Sequence, residues 1–213
     1  MKNYLLGLAL ALVTVLPVHA QEFVSGKDYD VISPALRTSS ASKIEVAEFF
    51  AYSCGHCYNF EPLIETWKQG LANDVVFVGS PAVWAPQMEP HAKAYFAAKA
   101  LGADQVHSAL FAAMHVDRKR LDSDSEIRKI FVDNGIAGKD FDKAFGSFGV
   151  SSQVRQAVSR QKGARVTGTP EMMVAGKYRV TTRKAGSQAN MLKVADFLIE
   201  KERAARQAVS SSQ

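Results

Sequence analysis

Cysteine is scarce in this chain, since its 213 residues include only Cys54 and Cys57. A fold held together by several disulfides is therefore excluded. A bond between these two cysteines would close a loop with two intervening residues, and such a short loop restrains the unfolded chain very little. Stability must come from a buried core, which a chain of this length can supply as one domain or as one domain with an insertion.

Long apolar runs are also missing, except near the N-terminus. There Lys2 precedes an apolar stretch over residues 4–15, and the sequence Val-His-Ala ends at Ala20. This pattern is typical of a secretory signal peptide over residues 1–20, cleaved after Ala20. The alternative is an uncleaved membrane anchor, but an anchor needs about twenty apolar residues and the stretch is shorter. We therefore expect an exported, soluble mature protein.

Charge shows neither a long run nor a strong bias of one sign. Without Lys2, 25 basic and 21 acidic side chains remain. The densest basic region comprises Lys201, Arg203 and Arg206 in a predicted polar helix, which is typical of a solvated helix face. Nothing in this pattern indicates nucleic-acid binding.

The cysteines follow a predicted central strand. Residues 44–50 form a short apolar run bounded by polar residues on one side and by the cysteines on the other. A second apolar run at residues 75–78 follows a helix that begins near Cys57. Strand, helix and parallel strand form a right-handed crossover unit. The cysteines then lie at the carboxyl end of the first strand, where open α/β sheets usually carry their chemistry.

Helical periodicity replaces this pattern over residues 88–162 and predicts three to five helices. Within this block, Ser123 and Glu126 form a capping box ahead of an apolar run. They predict a separate helix that ends at residues 134–135, Asn-Gly.

Strand patterns return after the helical block. Residues 171–175 and 178–180 predict a hairpin with a two-residue turn at Gly176 and Lys177, and a closing amphipathic helix follows. Because strands lie on both sides of the block, we interpret the block as an insertion. The boundaries are then a signal peptide at 1–20, a first α/β part at 21–85, the helical insertion at 86–162, a second α/β part at 163–208 and a disordered tail at 209–213.

The position of Cys54 favours redox chemistry. A sulfur at a helix N-terminus faces unpaired backbone N–H groups and the positive end of the helix dipole, so its pKa falls and it becomes a good leaving group. Cys57 lies one turn further on, and we expect it to be the buried, resolving thiol. His56 could support the Cys54 thiolate, or it could be an exposed imidazole that merely fits the turn.

Two other readings of the cysteines are weaker. A passive disulfide staple would contribute little because its loop is so short. A zinc site normally needs four ligands, or three and a water, and the chain has no second Cys-x-x-Cys and no His-x-x-x-His. We expect His91, His107 and His115 to occupy ordinary surface or core positions.

Glu48 is a further candidate on the predicted central strand. Strand alternation places it on the same face as Val46 and Phe50, and a buried carboxyl group is costly unless it is paired or neutral. Burial would raise its pKa and suit it to proton transfer near Cys57. The alternative is an exposed glutamate after a bulge.

A strand-to-helix Cys-x-x-Cys, a Thr-Pro pair that opens a hairpin and a closing helix together resemble the thioredoxin fold. With the long helical insertion, residues 48–58, 166–170 and 176–178 are similar to the periplasmic thiol:disulfide oxidoreductases of the DsbA family. The resemblance covers about residues 25–205 and implies an α/β thioredoxin fold with an inserted all-helical domain. Glu48 matches the family's acidic residue, six positions before the first cysteine.

The resemblance also implies a role for two residues far from the cysteines in sequence. Pro170 matches the family's cis-proline, which would lie opposite the cysteines. The cis bond would expose the backbone N–H and C=O of Thr169 for strand-like pairing with a substrate peptide.

Two positions depart from the best-known family members. Gly55 and His56 stand where those members have Pro-His, and Thr169 stands where the best-known oxidase has Val. Both features are similar to disulfide isomerases, so they bear on how oxidising the protein is and leave its reaction class unchanged.

The sequence therefore predicts a periplasmic oxidase that passes a Cys54–Cys57 disulfide to reduced, newly exported proteins. By resemblance, a membrane quinone-linked oxidoreductase of the DsbB type would reoxidise it. We expect a monomer with no metal or organic cofactor. The alternatives are a periplasmic reductase or isomerase and, in a different class, a chaperone or peptide-binding protein whose dithiol is incidental.

Overall fold

The computed structural model describes residues 22–211, so the predicted signal peptide lies outside the described residues. One mixed sheet of five strands runs in the order β1-β5-β4-β2-β3. The strands are β1 Asp30–Val31, β2 Ile44–Phe50, β3 Val75–Pro81, β4 Glu171–Val174 and β5 Tyr178–Thr181. The helices are α1 Gly55–Gln69, α2 Glu89–Ala100, α3 Gln105–His115, α4 Asp124–Asp133, α5 Gly138–Phe145, α6 Phe148–Gly163, α7 Thr182–Ala185 and α8 Gln188–Ser210.

Strand β2 is an interior strand of the sheet, between β4 and the edge strand β3, and the buried strand that the sequence predicts at 44–50 is confirmed. All seven of its residues are buried, because the sheet is covered on both faces. It pairs in parallel with β3 and antiparallel with β4. The crossover unit β2-α1-β3 is therefore confirmed, and the cysteine motif occupies the short connection between β2 and α1 together with the first turn of that helix.

The five helices α2 to α6 lie between β3 and β4 in sequence. The predicted capping box is present, since Ser123 Oγ accepts a hydrogen bond from the Glu126 backbone N–H and Glu126 accepts one from the Ser123 N–H. Aromatic side chains from the block, such as Phe111, share one buried cluster with Phe50, Tyr52 and Cys57 of the sheet part. The block is thus packed directly against the cysteine motif, whereas the exact domain boundaries stay a prediction.

Two local predictions are wrong. The hairpin turn is centred on Ala175 and Gly176, with Lys177 N–H donating to the Val174 carbonyl at 3.0 Å. Both central residues have positive φ, 54° and 66°, and a Cβ on Gly176 would lie 2.3 Å from the Leu36 carbonyl oxygen. This contact between distant segments, which the local sequence does not reveal, selects glycine there.

The second wrong prediction is the start of the disordered tail predicted at 209–213, since residues 209–210 are helical. Helix α8 continues through Ser210, because the alanines and long polar side chains after Ile199 are good helix formers. Residues 212–213 lie outside the described part. Along residues 22–211, no helix combines the length and the apolar character needed to cross a membrane.

Candidate active site

Helix α1 presents its N-terminus to the first cysteine. Cys54 is the N-cap residue, with an extended backbone, and its carbonyl accepts a hydrogen bond from Tyr58 N–H at 3.1 Å. The first turn carries no acidic side chain that would offset the positive end of the helix. Cys54 is half-buried, Cys57 is completely buried, and the two thiols are not bonded to each other.

The surroundings move the pKa values of the two thiols in opposite directions. A hydrogen bond from Cys57 is the largest cause that lowers the pKa of Cys54, to about 5, against the opposing effect of burial. The Thr169 side chain and the backbone amides of Cys57 and His56 lower it further. Burial is the main cause that raises the pKa of Cys57, with the hydrogen bond to Cys54 and the nearby Glu48 adding to it. At neutral pH the pair therefore carries its negative charge on Cys54.

The loop before β4 lies against Cys54. The Thr169–Pro170 peptide bond is cis, and Cys54 Sγ donates a hydrogen bond to the Thr169 carbonyl at 3.3 Å. Pairing of β4 with β2 brings these residues together across 115 positions of sequence. The structure thus places both residues of the predicted peptide-binding edge beside the cysteines.

A groove of about 330 Å³ continues from this loop. His56 lines it on the α1 side, and Thr167, Thr169 and Gln188 line it on the other. The His56 carbonyl accepts a hydrogen bond from Gln188 Nε2 at 2.6 Å. Its imidazole is exposed and makes no hydrogen bond within the described part of the chain, so the help to Cys54 comes from the His56 backbone, and a role of the ring stays a prediction.

Glu48 is buried, with 2% of its surface exposed, and it acts electrostatically on Cys57. Burial raises its pKa well above the ordinary carboxyl value, and the neighbouring Glu61 raises it further, while Lys68 opposes them. Both glutamates line a cavity of about 280 Å³, and each has one buried carboxyl oxygen without a hydrogen-bond partner in the described part of the chain. The alternative of an exposed glutamate is excluded. Lys68, the cation that opposes the raised pKa of Glu48, lies in the last turn of α1.

Two histidines of α3 hold the segment between β2 and Cys54. His107 Nδ1 lies 2.7 Å from the Tyr52 hydroxyl, and its Nε2 lies 3.3 Å from Glu61. His115 Nε2 donates to the Tyr52 carbonyl at 2.7 Å, and its ring stacks on Tyr58. The sequence predicts ordinary surface or core positions for both histidines and does not predict these contacts. Their eight-residue spacing places both on one face of a helix, but only the packing of the block shows what that face touches.

A known family accounts for this arrangement. The sequence model described as the DSBA-like thioredoxin domain matches residues 64–193, more than half of the chain. The chain belongs to the DsbA family. The thiol:disulfide interchange protein DsbA of Pseudomonas aeruginosa is 36% identical over 208 residues, which cover 96% of this chain and 99% of that protein. The DsbA of Pseudomonas syringae pv. tomato is 37% identical over 212 residues, 98% of this chain and 99% of that one.

Solved structures of DsbA proteins match the fold. The crystal structure of Pseudomonas aeruginosa DsbA superposes with a TM-score of 0.83 at 37% identity, covering 87% of this chain and 97% of that one. DsbA from Xylella fastidiosa superposes with a TM-score of 0.80 at 31% identity, covering 87% and 100%. The predicted thioredoxin fold with a helical insertion is confirmed, and the protein is a thiol:disulfide oxidoreductase.

Proposed function

We propose that this DsbA-family protein is a periplasmic dithiol oxidase that donates a Cys54–Cys57 disulfide to reduced, newly exported proteins. The observation that carries the proposal is the opposite shift of the two thiol pKa values, with that of Cys54 lowered to about 5. A stabilised Cys54 thiolate favours the reduced enzyme, and a stable reduced form makes the disulfide a strong oxidant.

The reaction is two successive thiol-disulfide exchanges. A substrate thiolate attacks Cys54 Sγ, the bond between Cys54 and Cys57 breaks, and Cys57 leaves with the electron pair. Because Cys57 is buried and its pKa is raised, it takes up a proton. In this proposal Glu48, a buried carboxyl group that acts electrostatically on Cys57, supplies that proton. A second substrate thiolate then attacks the substrate sulfur of the mixed disulfide, and Cys54 leaves as a thiolate. Two electrons pass from the substrate to the enzyme.

Substrate peptides would bind along the loop before β4. The Thr169 carbonyl oxygen lies 3.3 Å from Cys54 Sγ, so the backbone of Thr169 is beside the reacting sulfur. An extended peptide could pair with the Thr169 backbone and bring its own cysteine to Cys54. Turnover needs reoxidation, for which family membership supports a DsbB-type quinone-linked partner, and the protein would act as a monomer.

The redox potential of the purified protein tests the proposal. The protein is equilibrated in graded glutathione buffers and the oxidised fraction is measured. We expect a potential toward about −120 mV, typical of a strongly oxidising member of this family. A value near about −270 mV, typical of thioredoxin, would contradict the oxidase and support a reductase.

One observation favours the reductase or isomerase as second candidate. Thr169 precedes the cis-proline, the position at which the sequence is similar to disulfide isomerases. Assaying the wild type for reshuffling of a scrambled disulfide substrate separates the two activities.

A chaperone with an incidental dithiol would keep its activity in Cys54→Ala, whereas an oxidoreductase would lose it.

A further inference from the structure

Glu171 is a buried carboxyl group that neither the sequence pattern nor the proposed reaction uses. It directly follows Pro170, opens β4, and has 4% of its surface exposed. One of its oxygens, Oε1, accepts three hydrogen bonds from the loop that leads to the cis-proline. The donors are Thr167 N–H at 3.2 Å, Thr167 Oγ1 at 3.3 Å and Gly168 N–H at 3.1 Å.

The other oxygen faces Arg179, which also binds the start of the same loop. Glu171 Oε2 lies 3.9 Å from Arg179 Nε, and neither of these two atoms has a hydrogen-bond partner in the described part. Arg179 also donates to Asp30 at 3.0 Å and to the Arg165 carbonyl, at the start of the loop. The carboxyl group and the guanidinium therefore hold the loop at both ends.

The loop needs such support because it belongs to no helix and no strand. Residues 164–170 connect α6 to β4, and the backbone N–H groups of Thr167 and Gly168 find their acceptor in the Glu171 side chain. Water can reach these N–H groups, since Thr167 is exposed and Gly168 is half-buried, but water would not tie them to the start of β4 as the carboxyl oxygen does. Removing the carboxyl group would leave both N–H groups without this partner, so the loop would shift to find others.

A shift of the loop would reach the reacting sulfur. The next residue, Thr169, has its carbonyl 3.3 Å from Cys54 Sγ, and its side chain is one of the groups that stabilise the Cys54 thiolate. In the described part of the chain no hydrogen bond joins Glu171 to either cysteine, and Glu171 lines the groove beside the cis-proline. Its influence on the chemistry would pass through Thr167, Gly168 and Thr169.

We infer that Glu171 is a positioning residue for the thiol chemistry: its carboxyl group fixes the loop so that Thr169 stays against Cys54 and its backbone edge is preorganised for a substrate peptide. The inference deepens the proposed function and rests on it for the role in peptide binding. A purely structural role would instead stabilise the hairpin without any effect on Cys54.

The test compares Glu171→Ala and Glu171→Gln with Glu202→Gln. Glu202 is equally buried, at 4% exposure, and accepts hydrogen bonds from Lys177 and Arg206, but it lies on α8 away from the loop. The thiolate of each reduced protein is titrated by its ultraviolet absorbance. The KM and kcat for oxidation of a reduced model peptide are then measured separately.

We expect Glu171→Ala to weaken the acidity of the Cys54 thiol, lowering its acid dissociation constant roughly 2- to 10-fold, and to raise the KM for peptide by a similar factor. Glu171→Gln keeps an acceptor oxygen, so its Cys54 titration should stay close to that of the wild type. Glu202→Gln should change neither quantity. If Glu171→Ala does not fold, Thr167→Val, which removes one of the three donors, should shift the titration in the same direction by less.

Three results would overturn the inference. One is a wild-type Cys54 titration in Glu171→Ala or, where that variant does not fold, in Thr167→Val. Another is an equal shift in Glu202→Gln, which would indicate general destabilisation. The third is an equal shift in Glu171→Gln, which would exclude the acceptor role. The thiol titration uses no substrate, so it tests the inference independently of the proposed function. The proposed function is tested by the redox potential of the wild type.

Discussion

The surroundings of Cys54 and those of Cys57 differ sharply although the two sulfurs are neighbours. Cys54 is half-buried at a helix N-terminus and lies against a loop of backbone and hydroxyl groups. Cys57 is completely buried in a cluster rich in aromatic side chains, and the acidic Glu48 is near enough to act on it electrostatically. Hydrogen bonds favour the charged form of the first thiol, whereas burial and a nearby acid disfavour that of the second. The two cysteines therefore differ in function: Cys54 is a good leaving group, and Cys57 is a thiol that stays protonated.

Removing each thiol in turn gives the largest expected effect. Cys54→Ser should lose the oxidation of a reduced peptide completely, because no exposed sulfur remains to be attacked. Cys57→Ser keeps the Cys54 thiol but cannot form the internal disulfide. Its Cys54 thiolate should attack an added disulfide-bonded peptide and release one peptide thiol, and the mixed disulfide should accumulate and be visible on non-reducing gels. Equal accumulation in both variants would contradict the division of roles between the two cysteines.

The stability of the reduced protein should depend on pH in a direction set by Cys54. Its folded pKa is about 5, below the unfolded thiol value of about 8.5, so ionisation stabilises the reduced fold. The contribution is complete above the unfolded pKa and disappears as the pH falls through about 5. At pH 7 it amounts to at most about 2–3 kcal/mol, and solvent screening of the half-buried sulfur reduces it below that limit.

Denaturant unfolding of both redox forms at pH 7 and pH 5 measures this contribution. The oxidised protein lacks the thiolate and is the control, since its two-residue loop restrains the unfolded chain very little. We expect the reduced form to be the more stable one at pH 7 and the difference to shrink at pH 5. A difference that does not change with pH would assign the extra stability to something other than Cys54.

The environment of Cys57 is tested by Glu48→Gln. The amide fills the same space but carries no proton for transfer, so exchange steps in which Cys57 gains or loses a proton should slow about tenfold. We expect a factor at the low end for acid–base catalysis, because Glu61 lines the same cavity and can transfer a proton in place of Glu48. The Cys54 titration should stay near its wild-type value.

The matched control for this variant is Glu45→Gln. Glu45 lies on the same strand, with 3% of its surface exposed, but it pairs with Arg160 at 3.1 Å and does not line the cavity. Rapid-mixing rates of the reaction with a reduced peptide, followed across pH, compare the variants. Equal slowing in both would mean that any buried carboxyl group in the strand has this effect.

Local patterns predicted the parts of the site that local sequence determines. The alternation along β2 predicted that Glu48 is buried, and the position of Cys54 ahead of a helix predicted its lowered pKa. Contacts between distant segments were not predictable in this way. Lys68 beside Glu48 and the carboxyl group of Glu171 beneath the cis-proline loop depend on how elements pack, and packing leaves no period in the sequence.

The two histidines of α3 show the same limit. Their spacing indicates a shared helix face, but the partner of that face is the segment that leads to Cys54, more than fifty residues earlier in the chain. The helical block therefore contributes to the active site as well as to the core. This contribution can be measured separately from the rest of the site.

The smallest expected effect concerns the contribution of the helical block to the active site. His115→Phe keeps a ring against Tyr58 but loses the hydrogen bond to the Tyr52 carbonyl, so it should destabilise the protein by about 0.5–1.5 kcal/mol. His91→Phe loses a matched hydrogen bond, from His91 Nε2 to the Leu121 carbonyl at 3.1 Å, and should cost about the same. Both losses are read from denaturant unfolding.

Only His115→Phe should also change the rate of thiol exchange at Cys54, by a few-fold, because only its lost hydrogen bond holds the segment two residues before that sulfur. Exchange of the reduced protein with a small disulfide reagent measures this rate without a bound peptide. Identical exchange rates in the two variants would limit His115 to a packing role and would leave its hydrogen bond to Tyr52 without influence on Cys54.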